Sequence, residues 1–283
     1  MKAIEGYLPL LESTIKDLDV ADEVLGGPMA YALAGGKRLR PGLVLLSADV
    51  CGGDWRQLGR AAAAVECVHA YSLIHDDLPA MDDDDLRHGK PTLHRAFDEA
   101  TAILTGDGLL TLAFALLAEP LAAVPAELQL AAVREVAAGA GFGFGMVGGQ
   151  ALDLSGAKDA AGWLRVAAAK TGYPLGAAAA VGAFLAARAD LAQALRSYGR
   201  ELGIAFQIKD DLLDVQGSEA DMGKRLNKDA GKRRPNIAAI AGVAAAEAAL
   251  RDHSAQAVAA LANSDLNREP LERLVVELVA RTH

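Results

Sequence analysis

The sequence predicts an all-α protein built as one large helical bundle. Hydrophobic residues make up 52% of its 283 residues but aromatic residues only 5%, and alanine and leucine are abundant. Alanine and leucine favour helices, whereas strands favour β-branched and aromatic residues. Apolar residues recur at helical spacing almost everywhere, and no linker rich in proline, glycine or serine divides the chain. We therefore expect a single domain over residues 1–283.

The first clear helix is predicted for "LRPGLVLLSADVCGG", with Pro41 at its start and Gly52 and Gly53 at its end. Proline is favoured in the first turn of a helix and glycine just beyond the last. The same periodicity predicts helices in six further segments, which are "WRQLGRAAAAVECVHAYSLIHDD", "EATAILTGDGLLTLAFALLAE", "AELQLAAVREVAAGAG", "AAGWLRVAAAKTG", "LAQALRSYGRELGIAFQIKDDLLDV" and "EPLERLVVELVARTH".

Charge and cysteine content exclude several classes of protein. The net charge of −9 argues against a nucleic-acid surface, which shows a basic patch. Cys51 and Cys67 form neither a C-x-x-C pair nor a disulfide framework, so we expect a cytoplasmic protein. The N-terminus carries acidic residues from Glu5 onward, unlike a signal peptide. The uncharged stretches 175–187 and 136–152 are too short or too rich in glycine for a membrane span, and none is expected.

A glycine pattern at residues 143–148 fits G-x-G-x-x-G, the dinucleotide-binding fingerprint. That fingerprint requires a preceding strand, whereas the preceding "LQLAAVREVAAGA" has helical periodicity. We therefore expect these glycines to allow close helix packing, or to loosen a helix near a ligand.

Two aspartate-rich motifs carry the candidate chemistry. In "KDDLLD", Asp210 and Asp214 are four residues apart, which on a helix separates them by only about 40° in azimuth and about 6 Å along the axis. The upstream "DDLPAMDDDD" packs six aspartates into ten residues, and a straight helix would place Asp76 and Asp82 on different faces. Pro79 lies between them, so we expect a kink that turns Asp82 towards the ligand of Asp76.

Clustered carboxylates indicate a bound cation. Two carboxylates about 4 Å apart repel by about 4 kcal/mol at an effective dielectric of about 20. Oxygen ligands favour Mg²⁺ or Ca²⁺, and the EF-hand calcium pattern is absent from the sequence. Since Mg²⁺ usually binds through one or two carboxylates together with substrate phosphates, the motifs predict a magnesium–diphosphate site.

Basic residues near these motifs are candidates for binding the phosphates. The segment "GGKRLRP" places several cations beside a glycine pair at a helix start, and His69 lies seven residues before Asp76 on the same predicted helix. The basic candidates are Lys37, Arg38, Arg40, His69, Arg87, His88, Lys170 and Lys224.

Together these residues resemble the trans-isoprenyl diphosphate synthases, the polyprenyl synthetase family, and within it the bacterial short-chain farnesyl diphosphate synthases. The matching blocks occur in family order from about Leu33 to the C-terminus. They are "GGKRLRP", "AVECVHAYSLIHDDLPAMDDDDLRHGKPTLH", "GDGLLTLAF", "GGQALDL", "KTG", "FQIKDDLLDV" and "GKR". The resemblance implies the isoprenoid synthase fold, an all-α bundle around a deep central cavity, and a homodimer.

The resemblance also implies roles for individual residues. Isopentenyl diphosphate would attack a carbocation formed when an allylic diphosphate ionises, with three Mg²⁺ ions neutralising the leaving diphosphate. The implied metal ligands are Asp76, Asp82, Asp210 and Asp214, the last directly or through water. The implied allylic-diphosphate site comprises Arg87, Lys170, Thr171, Gln207 and Lys224. The implied isopentenyl-diphosphate site comprises Gly36, Lys37, Arg40, His69 and His88.

In the family, the Lys170 carbonyl, the Thr171 hydroxyl and the Gln207 amide stabilise the carbocation. The sequence independently indicates an unusual turn here, because the helical partner of the Lys170 carbonyl would be the N–H of residue 174, which is proline. We therefore expect a kinked helix whose Lys170 carbonyl lacks its ordinary partner and points into the cavity.

Two features depart from the family pattern. The family commonly has two arginines after the first motif, whereas here the pair is Arg87 and His88. A largely neutral histidine cannot form a bidentate fork, so we expect weaker or pH-dependent affinity for isopentenyl diphosphate. The segment "NKDAGKRRPNIAAI" also differs from the usual G-K-x-T-[YF] pattern, which leaves the role of Lys232 open.

Product length in the family depends on the residues four and five positions before the first aspartate, here Ser72 and Tyr71. A tyrosine at the fifth position suits a farnesyl product, with geranyl and geranylgeranyl products as alternatives. Two other classes remain open at this point. One is a non-catalytic subunit of a partner synthase, although both aspartate motifs are present; the other is a terpene cyclase, which would not need "GGKRLRP" and His69.

Overall fold

In a computed structural model of the chain, α-helices form nearly all of the regular structure. The structure describes residues 1–18, 20, 22–87, 89–156, 159–221 and 236–282, with side chains left out over 216–221. The helices are α1 Lys2–Glu5, α2 Leu8–Lys16, α3 Gly26–Leu33, α4 Leu39–Val50, α5 Gly59–Asp76, α6 Leu93–Ala96, α7 Glu99–Leu117, α8 Ala126–Ala140, α9 Met146–Leu154, α10 Ala160–Ala167, α11 Tyr173–Leu185, α12 Ala192–Asp221, α13 Ile237–Ala241, α14 Val243–Ala259 and α15 Glu269–Ala280. Short 3₁₀ turns occupy Trp55–Leu58 and Ala189–Leu191, and a π-helical turn occupies Ala168–Gly172.

The only strands in the described residues form a two-residue hairpin after the first aspartate motif. Strand β1, Leu86–Arg87, pairs antiparallel with β2, Lys90–Pro91, with Leu86 opposite Pro91 and Arg87 opposite Lys90. The all-α prediction is therefore confirmed. The single-domain prediction stays a prediction, because contacts within the chain group it into two compact units.

The first unit, called the Asp76 unit, comprises Ile4–Arg134 and Val181–Ala189. Helix α5 is its central element and packs against α2, α4 and α7. Gly106 of α7 lies directly against the His75 ring, so an added methyl group would not fit there. The core of this unit is thus built around the helix that leads into the first aspartate motif.

The second unit, called the Asp210 unit, comprises Met1–Ala3, Glu135–Ala180 and Asp190–His283. Helix α12 is its central element and packs against α14, α15 and the π turn. A Cβ atom on Gly203 would lie 2.7 Å from the Cα atom of Gly172, and one on Gly149 would lie 2.6 Å from the backbone nitrogen of Lys170. These glycines let α9 and α12 approach the π turn closely.

The structure tests two local predictions, the start of α4 and the character of the segment before residues 143–148. Helix α4 begins at Leu39, two residues before Pro41. Residues 143–148 follow helix α8 and include the start of α9, so the predicted helical character of the preceding segment is confirmed.

One helix of the described chain, α7, is long and apolar enough to cross a membrane by length and composition alone. The expectation of no membrane span rested on the uncharged stretches 175–187 and 136–152 and not on this helix. The helix packs against α5, and 39% of its apolar window is buried. Core helices of globular proteins pass the same test, so this is weak evidence for a span.

Candidate active site

The first aspartate motif begins where α5 ends. The helix stops at Asp76, and the chain then folds back through turns in which the Asp82 N–H donates to the Asp76 carbonyl at 2.8 Å. Asp83 adopts a left-handed backbone, with φ of 51°. The predicted interruption between Asp76 and Asp82 is present, but the prediction of a kink at Pro79 was wrong in form. The helix has already ended three residues earlier, and Pro79, which lacks an N–H, lies in the turn.

Four of the six aspartates hold arginines. The buried Asp77 accepts from Nε of Arg87 with both carboxylate oxygens at 2.9 Å and also pairs with its Nη2, while Asp84 lies 3.5 Å from Nη2. Asp85 and Asp83 pair with Arg95 at 2.6 and 3.9 Å. Burial raises the pKa of Asp77, and the guanidinium of Arg87 opposes that shift. The motif therefore fixes the orientation of Arg87 through its Nε and Nη2 groups, and these contacts do not use its Nη1 group.

Two residues predicted for the isopentenyl-diphosphate site come together between α4 and α5. Arg40 Nη1 lies 3.3 Å from Nε2 of His69, and since a guanidinium can only donate, Nε2 accepts. Gly36 and Lys37 are exposed in the loop before α4, where Gly36 has φ of 98°. The structure thus pairs a cation with an imidazole at the predicted place.

Arg38 is buried and supports this loop instead of facing a ligand. Its guanidinium donates to Glu66 Oε1 and to the Leu33 carbonyl, both at 2.7 Å, and to Glu12 Oε1 at 2.8 Å. Its φ of 52° is in the left-handed region that few non-glycine residues adopt. Burial raises the pKa of the Glu66 carboxyl, and Arg38 opposes that shift.

The two residues predicted to set product length are buried on α5. Tyr71 packs edge-on against His75, with ring centroids 5.8 Å apart. Ser72 donates its hydroxyl to the His69 carbonyl at 2.8 Å, within its own helix. Tyr71 therefore presents the bulk at this position, since the Ser72 hydroxyl turns back to the backbone.

The second aspartate motif lies within α12. Asp210 is half-buried and Asp214 is exposed. Arg281, from the chain's C-terminal end, places Nη2 2.8 Å from Asp210 Oδ1 and 2.8 Å from the Phe206 carbonyl, and its guanidinium lies over the Phe206 ring. Burial lowers the pKa of Arg281, and Asp210 opposes that shift. Arg281 was not predicted from the sequence, because nothing in "ARTH" indicates a contact with a residue some seventy positions away.

The π turn carries Lys170 and Thr171. Its register is shown by the Tyr173 N–H, which donates to the carbonyl of Ala168, five residues back. Proline at position 174 removes an ordinary helical donor, and π turns are frequent at functional sites. The predicted distortion at this point is confirmed, as a π turn instead of a kink. Whether the Lys170 carbonyl lacks a partner stays a prediction. Lys170 Nζ pairs with Asp153 at 3.2 Å.

Thr171, Gln207 and Asp211 form a hydrogen-bonded chain between the π turn and α12. The Thr171 hydroxyl donates to Gln207 Oε1 at 3.3 Å, and Gln207 Nε2 donates to Asp211 Oδ1 at 3.2 Å. Asp211 Oδ2 accepts from the Ile237 N–H at 2.7 Å, and the carboxylate also accepts from the side chain of Trp163. Burial raises the pKa of Asp211 despite these donors. The two predicted residues are therefore in contact, and the third was not predicted.

The donor set suits a hard cation. Within the described residues, no group of three histidine, cysteine, aspartate or glutamate side chains is gathered as a ready-made metal cage. The predicted ligands are carboxylates in two separate motifs, and both Asp76 and Asp82 are partly exposed. Mg²⁺ commonly binds through one or two carboxylates while substrate phosphates complete its coordination, so these residues fit Mg²⁺ better than zinc.

Comparison with known proteins places this arrangement in a family. The family model for polyprenyl synthetases matches residues 22–274. The chain belongs to the polyprenyl synthetase family. The resemblance predicted from the sequence is thereby confirmed, and the chain is an enzyme of the prenyltransferase class.

Relatives within the polyprenyl synthetases resemble the chain over most of its length. The farnesyl diphosphate synthase of Escherichia coli K12 is 43% identical over 88% of this chain and 86% of its own length. That of Bacillus subtilis 168 is 40% identical over 100% of this chain and 96% of its own length. A crystal structure named as an FPP/GFPP synthase from Zymomonas mobilis has a TM-score of 0.83 and 34% identity, covering 98% of this chain and 97% of that one. The isoprenoid synthase fold is thus confirmed.

Three predicted residues of this polyprenyl synthetase, His88, Lys224 and Lys232, lie outside the described residues. Asp77, which holds Arg87, and Asp211, which contacts Gln207, were not predicted as site residues. The sequence offered one usable signal for both, since each is the second member of an Asp-Asp pair. Only packing shows that these second members are buried.

Proposed function

We propose that this polyprenyl synthetase is a farnesyl diphosphate synthase, which joins isopentenyl diphosphate to dimethylallyl or geranyl diphosphate. One observation carries the proposal: α5 leads into the aspartate turn at Asp76 and, two helical turns earlier, presents His69 in contact with Arg40. Seven residues of helix separate His69 from Asp76 by about 10 Å. Two diphosphates would therefore find binding groups along one helix, as a condensation of two diphosphates requires.

The aspartates Asp76, Asp82, Asp210 and Asp214 would hold Mg²⁺ with the allylic diphosphate, and we propose three ions. When bound, Mg²⁺ supplies neutralising charge to the leaving diphosphate. Arg87, fixed by Asp77 and Asp84, would donate to the same diphosphate, together with Lys170. Preorganised donors of this kind stabilise developing charge without reorganising during the reaction.

Thr171 and Gln207 would stabilise the allylic carbocation through their oxygen atoms. The hydrogen bond between them supports this role, because it holds the Gln207 side chain of α12 against the turn that carries Thr171 and Lys170. Lys37, Arg40 and His69 would bind isopentenyl diphosphate. The departing diphosphate would accept the proton released on condensation, so no protein base is required.

The oligomeric state and location are part of the proposal. Ile103 and Leu104 are exposed on the apolar helix α7, which supports a homodimer that covers this face. We also propose a cytoplasmic enzyme, in keeping with a chain whose two cysteines, Cys51 and Cys67, are both buried. Sedimentation of the purified protein would show a dimer if the proposed oligomeric state is right and a monomer if it is wrong.

Tyr71 supports a fifteen-carbon product, because it fills space on α5 before Asp76. Replacing it with alanine would open that space and lengthen the product beyond farnesyl diphosphate. Unchanged product length in Y71A, with the activity retained, would assign the limit to other residues. Geranylgeranyl and geranyl diphosphates remain the alternative products.

The proposal is tested by incubating the purified chain with isopentenyl diphosphate, Mg²⁺ and each allylic primer in turn. We expect farnesyl diphosphate from both dimethylallyl and geranyl diphosphate, and no product when Mg²⁺ is chelated. A hydrocarbon formed without isopentenyl diphosphate would indicate a cyclase. No product from any primer would contradict the proposal and favour a non-catalytic subunit.

A further inference from the structure

The second aspartate motif contains one buried carboxylate, Asp211, whose two oxygens both accept hydrogen bonds from within the protein. Asp211 is buried, whereas its neighbour Asp210 is half-buried and Asp214 is exposed. Both oxygens of Asp211 are used inside the Asp210 unit: Oδ1 accepts from Gln207 and Oδ2 from the Ile237 N–H. The Trp163 side chain, on α10, supplies a further hydrogen bond.

These contacts determine which way the Gln207 amide points. An ionised carboxylate can only accept hydrogen bonds, so the atom of Gln207 that faces Asp211 must be its NH₂ group. The amide oxygen is thereby directed to the opposite side, where it accepts from the Thr171 hydroxyl at 3.3 Å. Without Asp211, nothing at this position would require the NH₂ group of the Gln207 amide to lie on one side and its oxygen on the other.

The first motif shows the same division between the two members of an Asp-Asp pair. Asp77 is buried like Asp211, and it holds Arg87 in place through both oxygens. The preceding residues, Asp76 and Asp210, are the partly exposed members of the two pairs. In each motif a buried second aspartate fixes one polar side chain beside a more exposed first aspartate.

We propose that Asp211 is a positioning residue that fixes the Gln207 amide with its oxygen towards the reacting carbocation, and that it is not a metal ligand. This inference rests on the proposed prenyl transfer, in which Gln207 stabilises positive charge. The chemical reason is simple: an amide oxygen carries partial negative charge and stabilises a cation, whereas an NH₂ group carries partial positive charge and repels it.

The proposal predicts a specific pattern in two single variants and their combination. In D211N the new side chain must keep its oxygen towards the Ile237 N–H, so its NH₂ group faces Gln207 and forces the amide to reverse. In Q207E two carboxylates face each other at the former hydrogen bond. In D211N/Q207E the NH₂ group introduced at position 211 again meets an oxygen, and an oxygen again faces Thr171.

We expect kcat to fall about 10- to 100-fold in each single variant, a size that misplacing a reacting group can produce. The double variant should recover at least about tenfold over D211N. The Michaelis constants for both diphosphates and the Mg²⁺ concentration for half-maximal rate should stay within about twofold of wild type. A metal ligand would not behave in this way, since its loss would shift the Mg²⁺ requirement.

E201Q is a matched control on the same helix. Glu201 is a partly buried carboxylate of α12 that accepts from His253 at 2.7 Å, and none of its described contacts involves Gln207. The change from carboxylate to amide is the same as in D211N, yet we expect kcat to remain at the wild-type value. A comparable loss of rate in E201Q would show a general effect of altering α12 and would overturn the proposal.

Wild type, D211N, Q207E and the double variant also give a readout that does not depend on activity. In urea unfolding, the double variant should be more stable than the sum of the two single effects predicts, because one hydrogen bond is restored. Additive effects, a shifted Mg²⁺ requirement in D211N, or a double variant no faster than D211N would each overturn the proposal. If the wild-type protein transfers no prenyl group, the proposed function fails, while the unfolding cycle still tests the link between Asp211 and Gln207.

Discussion

At the scale of single residues, the aspartates of the first motif do different jobs despite their identical chemistry. Asp77 and Asp84 hold Arg87, while Asp83 and Asp85 hold Arg95. The sequence predicted that this cluster binds a cation and a diphosphate, because clustered carboxylates repel one another. It could not assign the individual jobs, since they depend on which arginine the folded chain brings to each carboxylate.

The grip of Asp77 on Arg87 gives the first prediction. D77N leaves one acceptor oxygen where Arg87 has two, so the guanidinium loses a charge-assisted hydrogen bond worth about 1.5–3 kcal/mol. We expect the Michaelis constant for the allylic diphosphate to rise about tenfold. D85N is the control, because Asp85 pairs with Arg95 instead, and its constant should stay at the wild-type value. Equal effects in the two variants would contradict the assignment.

The buried pair of Arg38 and Glu66 gives the second prediction. Both side chains are almost fully buried and meet at 2.7 Å, so E66Q leaves Arg38 with an imperfectly compensated charge. We expect a loss of about 3 kcal/mol in the free energy of unfolding, measured in urea. E269Q breaks an exposed pair with Arg273 and should cost at most about 1 kcal/mol. A similar small loss in E66Q would show that the buried pair contributes little.

At the scale of secondary-structure elements, the sequence predicted the helices well, because their apolar periodicity persists over many residues. It predicted their interruptions only in part. Pro174 correctly indicated a distorted turn, but a proline does not specify whether the helix kinks, ends or takes a π turn. Similarly, Pro79 indicated an interruption, but it did not specify that α5 ends at Asp76 and that the Asp82 N–H donates to the Asp76 carbonyl.

The close approach of α12 to the π turn gives the third prediction. In G203A the new methyl group would lie 2.7 Å from the Gly172 Cα atom and 2.8 Å from the Thr171 carbonyl, so the backbones must separate. We expect a loss of about 1–3 kcal/mol in stability and a fall in kcat of about tenfold or more. In the control G27A, on α3, the new methyl group meets nothing within 4 Å. Its kcat should equal the wild-type value within experimental error, and its stability should be unchanged or slightly raised. Wild-type kcat in G203A would show that this packing does not position Thr171.

The N-terminal cap of α7 gives the fourth prediction. Asp98 accepts from the Thr101 N–H at 2.8 Å and from its hydroxyl at 2.8 Å, which lowers the pKa of this carboxyl. A lowered pKa means that the stabilising contribution is present above the unfolded pKa of about 3.9 and is lost as the pH falls through the folded value. D98N keeps an acceptor but cannot titrate. The difference in free energy of unfolding between wild type and D98N should therefore change below about pH 4 and stay constant above about pH 5. Urea unfolding at several pH values measures this difference. A difference that is the same at every pH would contradict the prediction.

At the scale of the whole molecule, composition and motif order were sufficient to predict the all-α class and the family, because both are spread over nearly the whole chain. The candidate sites were less accessible to sequence reasoning. Asp211 and Arg281 act through contacts that join distant segments, to Ile237 and to Asp210 respectively. Such partners are set by packing, whereas the exposed Lys37 and Asp214 could be read from the motifs themselves.

The central claim is that the two members of each Asp-Asp pair have different roles. The first, Asp76 or Asp210, holds Mg²⁺, and the buried second, Asp77 or Asp211, positions a polar side chain. The most direct test is the Mg²⁺ dependence of the condensation rate in D76N, D77N, D210N and D211N. We predict that D76N and D210N raise the Mg²⁺ concentration needed for half-maximal rate about tenfold or more, a shift that corresponds to about 1.4 kcal/mol. D77N and D211N should leave this concentration within about twofold of wild type while the rate or the substrate affinity falls. A shift in D77N or D211N as large as in D76N and D210N would contradict the account.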